Sequence, residues 1–321
     1  MKVLSLFDGI SCARVALERA GIVVELYHAS EIDKFAIQVS TKNYPDIVQL
    51  GSVTDINPFP VYDILIGGSP CQDLSIAKHS RKGLKGEKSG LFWEYVRILK
   101  SVEPKYFILE NVASMSNDAK QEITDTLGVE PIMINASLVS AQRRKRLFWT
   151  NIPNVILPED KSILLKDILE QKVDVNFTVK SVEFVPGGVG KKNELHFLGG
   201  IRNKDWAKDG KNYSRNFGQG DRVYSQEGKS ATLSALGGGR GAKTGLYAVN
   251  KKEIILGVEG HCVEDFVIRK LTPVECERLQ GLPDGYTEGL SNTQRYKCLG
   301  NAFNVDVVAH ILSFIPLPIT T

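Results

Sequence analysis

At 321 residues, 42% of them hydrophobic and 24% charged, the chain has the composition of an ordinary folded protein with room for two structural units. No apolar run approaches the ~20 residues that span a bilayer, and the five cysteines form no CxxC or Cys/His cluster, which argues against a disulfide framework or a metal site. The net charge of +3 hides an asymmetry: residues 177–250 hold 12 Lys and Arg against 6 Asp and Glu, a basic module suited to a polyanion.

The apolar opening, residues 2–7, is too short for a signal-peptide core and predicts a buried strand, so a cytoplasmic protein is expected. Further short apolar runs at 24–29, 62–67, 106–109 and 131–134 predict strands. Residues 12–20, 34–42 and 91–102 carry apolar side chains at helical spacing. This alternation predicts an α/β fold, a doubly wound, mostly parallel sheet with helices on both faces. Such sheets bind ligands beyond the carboxyl ends of their strands.

Chain character changes near Pro153 and Pro158. From about 177 to 245 the chain is rich in Gly, Lys, Arg, Ser and Asn, yet aromatic residues recur, which predicts a second, smaller, loop-rich domain with irregular strands. Thr272 and Pro273 form a helix start, and 303–315 predicts an apolar helix returning to the first domain. The expected division is 1–175 for catalysis and cofactor, 176–267 for target recognition, and 268–321 as a returning segment.

The chemistry-bearing residues follow the strands. Phe7-Asp8-Gly9-Ile10 is a strand-to-helix loop where glycine admits a ligand, although GxGxxG is absent. Glu31, followed by Ile32, stands where nucleotide-binding sheets place an acid on ribose hydroxyls, although taken alone it reads more simply as a surface carboxylate. Gly67-Gly68-Ser69-Pro70-Cys71-Gln72 is a rigid turn that presents Cys71 at the sheet edge. An arbitrary cysteine is more often a small buried hydrophobe, but this position favours a nucleophile. Lys78, Arg81, Lys82, Lys85 and Lys88, interleaved with glycines, read as a basic lid. Glu110 ends the 106–109 strand, where a carboxylate is costly unless partnered. Arg144 and Arg146, in a basic run leading into apolar 147–149, are expected on one face of a strand.

FxG, PCQ, ENV, QxRxR, a basic variable region and Gly300-Asn301-Ala302-Phe303, in this order over nearly the whole chain, resemble the DNA cytosine-5 methyltransferase family. The resemblance implies a class I S-adenosylmethionine-dependent methyltransferase fold. It implies cofactor contacts from Phe7, Asp8, Gly9, Ile10, Glu31, Ile32, Asn301 and Ala302, with Cys71, Glu110 and Arg146 around a flipped cytosine and Arg144 in support. Gln72 and Ser75 would lie against the substrate. The family often has an acid after the glycine of its third strand, but Gly51 is followed here by Ser52. Adenine would then be met by Ser52, by Asp55 or by backbone at Val53.

Segments 218–224 and 231–239 resemble the two recognition loops of small bacterial enzymes that methylate GCGC, although Leu236 replaces an aromatic residue. By that likeness Arg222 reads guanine, Gln219 fills the space left by the flipped base and Thr232 braces the phosphate. The expected partners are double-stranded DNA and a cognate restriction endonuclease, with no membrane, and the expected state is a monomer. A tRNA-modifying relative would carry Cys-Phe-Thr, a catalytically dead homologue would lack Cys71, Glu110 or the Phe7–Gly9 pattern, and a nicotinamide oxidoreductase would carry GxGxxG; the sequence shows none of these departures.

Overall fold

The computed structural model describes residues 1–57, 61–70, 84, 86, 89–179, 182–190, 194–203, 217–235, 241, 243–250, 255–256, 262–263 and 266–316. Contacts divide the chain into two compact units: Met1–Asn135, Lys145–Pro158 and Ala302–Thr321 form the first, and Ala136–Arg144 with Glu159–Asn301 form the second. These boundaries differ from the expected ones at 175 and 268. The segment Ala136–Arg144 leaves the first unit early, and the helices after Arg269 stay with the second until Ala302.

In the first unit seven strands form one sheet in the order β3-β2-β1-β4-β5-β7-β6. They are β1 (Lys2–Leu6), β2 (Leu26–Ser30), β3 (Val48–Gln49), β4 (Ile64–Gly67), β5 (Tyr106–Val112), β6 (Ile132–Asn135) and β7 (Lys145–Thr150). The first five pair in parallel, whereas β7 runs antiparallel between β5 and β6. Strand order reverses between β1 and β4, and the carboxyl edge beside that switch is where open sheets of this kind bind ligands. The central strands are largely apolar because both faces are covered: Leu4, Leu6, Leu65, Leu109 and Trp149 join Phe92, Tyr95, Val96 and Ile123 in one core.

The expected helices are present as α1 (Cys12–Arg19), α2 (Lys34–Asn43) and α3 (Phe92–Val102). A fourth, α4 (Asn117–Leu127), escapes sequence reading because it buries only Ala119, Ile123 and Thr124; Ser116 caps it and Gly128 ends it in a left-handed turn.

In the second unit, six strands form a mainly antiparallel sheet in the order β14-β15-β12-β11-β10-β9. These are β9 (Val182–Gly190), β10 (Phe197–Asn203), β11 (Arg222–Ser225), β12 (Leu246–Asn250), β14 (Cys262–Val263) and β15 (Phe266–Arg269). A two-stranded pair joins β8 (Lys172–Val173) to β13 (Ile255–Leu256). The strands are irregular as expected: β10 shifts register against both β9 and β11 between Phe197 and Gly199. Gly199 explains part of this, since a Cβ there would overlap the Val185 carbonyl, so glycine permits the β9–β10 pairing.

α5 (Pro273–Leu279) begins with the expected Thr272 cap, completed by Glu275. Glu275 also pairs with Arg269 at 2.6 Å, both fully buried. α6 (Asn292–Asn301) follows in the second unit. α7 (Val305–Leu312) belongs to the first unit and packs on α1, joined by Arg19 and Asp306 at 2.7 Å. Among the described residues no helix is long and apolar enough to cross a membrane.

Candidate active site

The loop between β1 and α1 is conformationally unusual. Phe7 (φ 56°), Gly9 (φ 62°) and Ser11 (φ 59°) all adopt left-handed backbone. This costs about 1 kcal/mol or more at each non-glycine residue and points to a constrained, functional turn. A Cβ on Gly9 would meet nothing within 4 Å, so the loop opens into free space. The Gly9 N–H donates to Glu31 Oε2 at 2.8 Å, while Glu31 Oε1 accepts from the Ile32 and Asp33 N–H groups at 2.7 and 2.8 Å. Three backbone donors thus orient one carboxylate at the end of β2. Beside it the Ile32 side chain is 76% exposed, an apolar surface on the open side.

Asp8 and Ile10 turn the other way. Ile10 is buried, and Asp8 accepts hydrogen bonds from Ser11 Oγ (2.5 Å) and Tyr27 OH (2.6 Å). Burial pushes the Asp8 carboxyl up to about 6, against the lowering effect of those hydrogen bonds. Neither side chain faces the opening, so only their backbone is available to a ligand.

After β3, Gly51 (φ 75°) also opens to free space, and Ser30 Oγ donates to its carbonyl at 2.8 Å. Ser52 caps a short turn over Val53–Asp55 by accepting from the Thr54 N–H. Val53 sends its side chain into the core, leaving Ser52 half-buried and Asp55 exposed. Arg97 of α3 fastens this turn, donating to the carbonyls of Val53 (3.1 Å) and Ile56 (3.0 Å). Two open glycine positions, an oriented carboxylate and an exposed apolar side chain fit a ligand carrying a ribose and a flat ring.

The β4 end is built by close approach. A Cβ on Gly67 would lie 2.9 Å from the Tyr95 ring, and one on Gly68 would lie 2.6 Å from the Phe303 ring and 3.3 Å from Glu110 Oε2. Asn111 is buried and donates to Ser69 Oγ at 3.1 Å and to the Ser69 carbonyl at 3.3 Å. Its own Oδ1 accepts from the Val112 N–H. Asn111, Ser69 and Phe303 therefore support the turn that leads towards Cys71. Ser69 stood in the expected 67–72 turn, while only the Glu-Asn-Val and Gly-Asn-Ala-Phe patterns hinted at Asn111 and Phe303. Cys71, Gln72, Ser75 and the five cations of the expected lid lie outside the described residues. Cys12, Cys276 and Cys298 are buried, and burial raises the Cys276 thiol well above its ordinary range.

Glu110 and Arg146 meet across β5 and β7. Register pairs Val112 with Arg146 and Glu110 with Phe148, so the two charged residues are diagonal neighbours on one face. Arg146 Nε stands 2.7 Å from Glu110 Oε1, with both side chains mostly buried. Arg144, expected on the same strand as Arg146, stands one residue before β7, which starts at Lys145. Arg144 lies buried in the second unit, donating to the carbonyls of Gly300 (3.2 Å) and Leu233 (3.4 Å).

Also in the second unit, Gln219 is exposed on a short turn over Gln219–Asp221, and exposed Arg222 opens β11 with Nε donating to the Phe217 carbonyl at 3.1 Å. Thr232 is exposed and donates through Oγ1 to the Arg143 carbonyl at 2.5 Å. Asn301 ends α6 exposed, and Ala302 is buried in the first unit. Among the described residues no group of three or more His, Cys, Asp or Glu side chains is arranged to hold a metal ion.

The strand order with its antiparallel β7, together with the β1 loop and the acid after β2, defines a class I S-adenosylmethionine-dependent methyltransferase fold. The family model for C-5 cytosine-specific DNA methylases matches residues 1–316, and the chain belongs to that family. It is similar to the type II methyltransferase M.HhaI of Haemophilus parahaemolyticus, 31% identical over 97% of this chain and 93% of that protein. It is also 30% identical to the orphan methyltransferase M.Rho11sI of Bacillus phage rho11s over 81% of this chain, an alignment that spans 63% of the phage protein. Among solved structures, the Entamoeba histolytica methyltransferase EhMeth matches with a TM-score of 0.69 at 17% identity, over 98% of this chain and 97% of that one. A putative DNA modification methyltransferase from an Escherichia coli prophage matches at 0.64 and 21%, over 98% of each chain. These structural likenesses show the fold.

Proposed function

We propose that the chain methylates C5 of a cytosine flipped out of a short GC-containing site in duplex DNA, with Cys71 as nucleophile. The observation that carries this reading is the Glu110–Arg146 pair at 2.7 Å, set against Gly68 at the head of the turn that leads to Cys71. C5 of cytosine is a poor nucleophile. Addition of the Cys71 thiolate to C6 pushes electron density to C5, while Glu110 holds N3 and the exocyclic amine and Arg146 offsets charge at O2. S-adenosylmethionine, when bound, supplies the methyl group. Loss of the C5 proton then expels the thiolate and re-forms the C5–C6 double bond. The base must leave the stack because none of these atoms is reachable inside the duplex.

Glu31 is suited to the cofactor's ribose, Ile32 to a face of its adenine, the Phe7–Gly9 backbone to its amino-acid end and Ser52 to the ring edge, with Asn301 and Ala302 completing the set. Gln219, Arg222 and Thr232 are assigned to the DNA, with the basic lid gripping phosphates. Arg144 is assigned a supporting role through its hold on Leu233 and Gly300. The protein is proposed to act as a cytoplasmic monomer. M.HhaI is described as a type II methyltransferase, which supports a partner endonuclease, whereas M.Rho11sI is described as an orphan enzyme.

Two experiments test the proposal. Incubating purified protein with genomic DNA and S-adenosylmethionine, followed by bisulfite sequencing, is expected to show cytosines modified within one short motif; scattered or absent modification would overturn it. A duplex with 5-fluorocytosine at the mapped position blocks the final elimination, so it should trap the native protein covalently. Trapping by Cys71→Ser would remove Cys71 as nucleophile.

A further inference from the structure

Lys229 has no part in the reaction above, yet it is buried in an unusual way. Its side chain is 7% exposed, and the ammonium donates to three backbone carbonyls: Ile163 (2.6 Å), Ser137 (2.7 Å) and Ser140 (3.2 Å). Three donors meet three acceptors, so the ammonium is saturated without a carboxylate. Ser137 and Ser140 flank one turn, and Ile163 belongs to a separate loop, so one side chain joins segments distant in sequence. The Lys229 N–H adds a fourth tie, to the Glu194 carbonyl at 2.8 Å.

Residues directly after Lys229 are laid against the segment that ends in Arg144. Ser230 N–H donates to the Ala141 carbonyl (2.6 Å) and Arg143 N–H to the Ser230 carbonyl (3.0 Å), a parallel bridge between Gln142 and Ser230. The buried Gln142 accepts from the Leu233 N–H at 3.2 Å, Thr232 Oγ1 donates to the Arg143 carbonyl, and Arg144 donates to the Leu233 carbonyl. Lys229 anchors the start of this seam by fixing Ser137 and Ser140, which lie just before Gln142.

We propose that Lys229 is a positioning residue for DNA specificity: its three-carbonyl anchor sets the register of 230–233 against 142–144 and so aims Thr232 and its neighbours at the duplex. The inference rests on the proposed recognition role of this segment. A side chain without the ammonium's three donors would release the buried Ser137 and Ser140 carbonyls and the half-buried Ile163 carbonyl and let the seam shift, loosening discrimination between sites while leaving the cofactor loops of the first unit untouched.

The test uses full-length Lys229→Met and Lys229→Gln, the duplex site mapped by bisulfite sequencing, and duplexes with each base pair of that site changed singly. The readouts are kcat/KM on each duplex and S-adenosylmethionine affinity by calorimetry. The expected result is that Lys229→Met loses about tenfold in discrimination, on the order of one mismatched base pair, with cofactor affinity unchanged. Lys229→Gln, which keeps two donors, falls between. Wild-type discrimination in a folded variant, or an equal loss on matched and mismatched duplexes, overturns the role. Where Lys229→Met fails to fold, Lys229→Gln decides by the same comparison. Absence of any site preference in the unaltered protein would overturn the function itself, and this role with it.

Discussion

Arg146 Nε and Glu110 Oε1 lie 2.7 Å apart on one face of two antiparallel strands, so each charge is neutralised by the other. On the proposed mechanism a cytosine bound there would draw on both partners, so each would be a point of failure for catalysis. Glu110→Gln keeps the shape and removes the charge. It is expected to lower kcat by about 10²–10⁴, the range for a lost acid–base partner, with thermal stability close to wild type. Arg146→Ala leaves Glu110 unpaired and is expected to cost stability as well, about 1–3 kcal/mol. Single-turnover methylation beside denaturant unfolding separates the two effects.

Asp8 links stability to pH. Its carboxyl is raised from 3.8 to about 6 in the fold by burial, so the folded state favours the neutral form. The associated stability is fully present below about pH 4 and is lost as pH rises through about 6, an amount of about 3 kcal/mol. Asp8→Asn is expected to flatten this dependence, gaining on wild type at pH 7.5 relative to pH 4.5. Parallel urea-unfolding curves at both pH values for the two proteins would show the assignment to be wrong.

Gly68 is required by neighbours and not by its φ. Gly68→Ala would press a methyl group within 2.6 Å of the Phe303 ring and 3.3 Å from Glu110. A stability loss of about 1–3 kcal/mol is expected, with a fall in kcat as Glu110 is displaced. Phe303→Leu should relieve part of the clash, so a double-mutant cycle should show strong coupling.

Arg97 offers a cleaner test of the cofactor turn. It reaches from α3 to the carbonyls of Val53 and Ile56, outside the reacting groups. Arg97→Met is expected to raise the KM for S-adenosylmethionine about tenfold, the loss of roughly 1.4 kcal/mol of positioning, while kcat at saturation stays near wild type. A fall in kcat with unchanged KM would contradict this role.

The alternation of apolar runs with helical spacing foretold the parallel sheet, because strands buried on both faces must be apolar throughout. Gly9 and Glu31 were singled out for their places at the carboxyl ends of the first two strands, and the structure joins them by a hydrogen bond. α4 was not legible, because a helix burying three residues carries little periodic signal. Neither was the inward turn of Asp8, which depends on Tyr27 and Ser11 being near enough to satisfy it.

Local sterics and burial are written in short stretches of chain, so the sequence by itself determined most strands of the first unit, the turn at Gly67 and Gly68, and the candidate residues for the chemistry. Only the tertiary structure decided which of them meet. The antiparallel placement of β7 beside β5 brought Arg146 to Glu110, while a strand start at Lys145 left Arg144 in the other unit. Pairing between distant segments depends on strand order and register, and a one-residue difference in where a strand begins changes what an arginine touches.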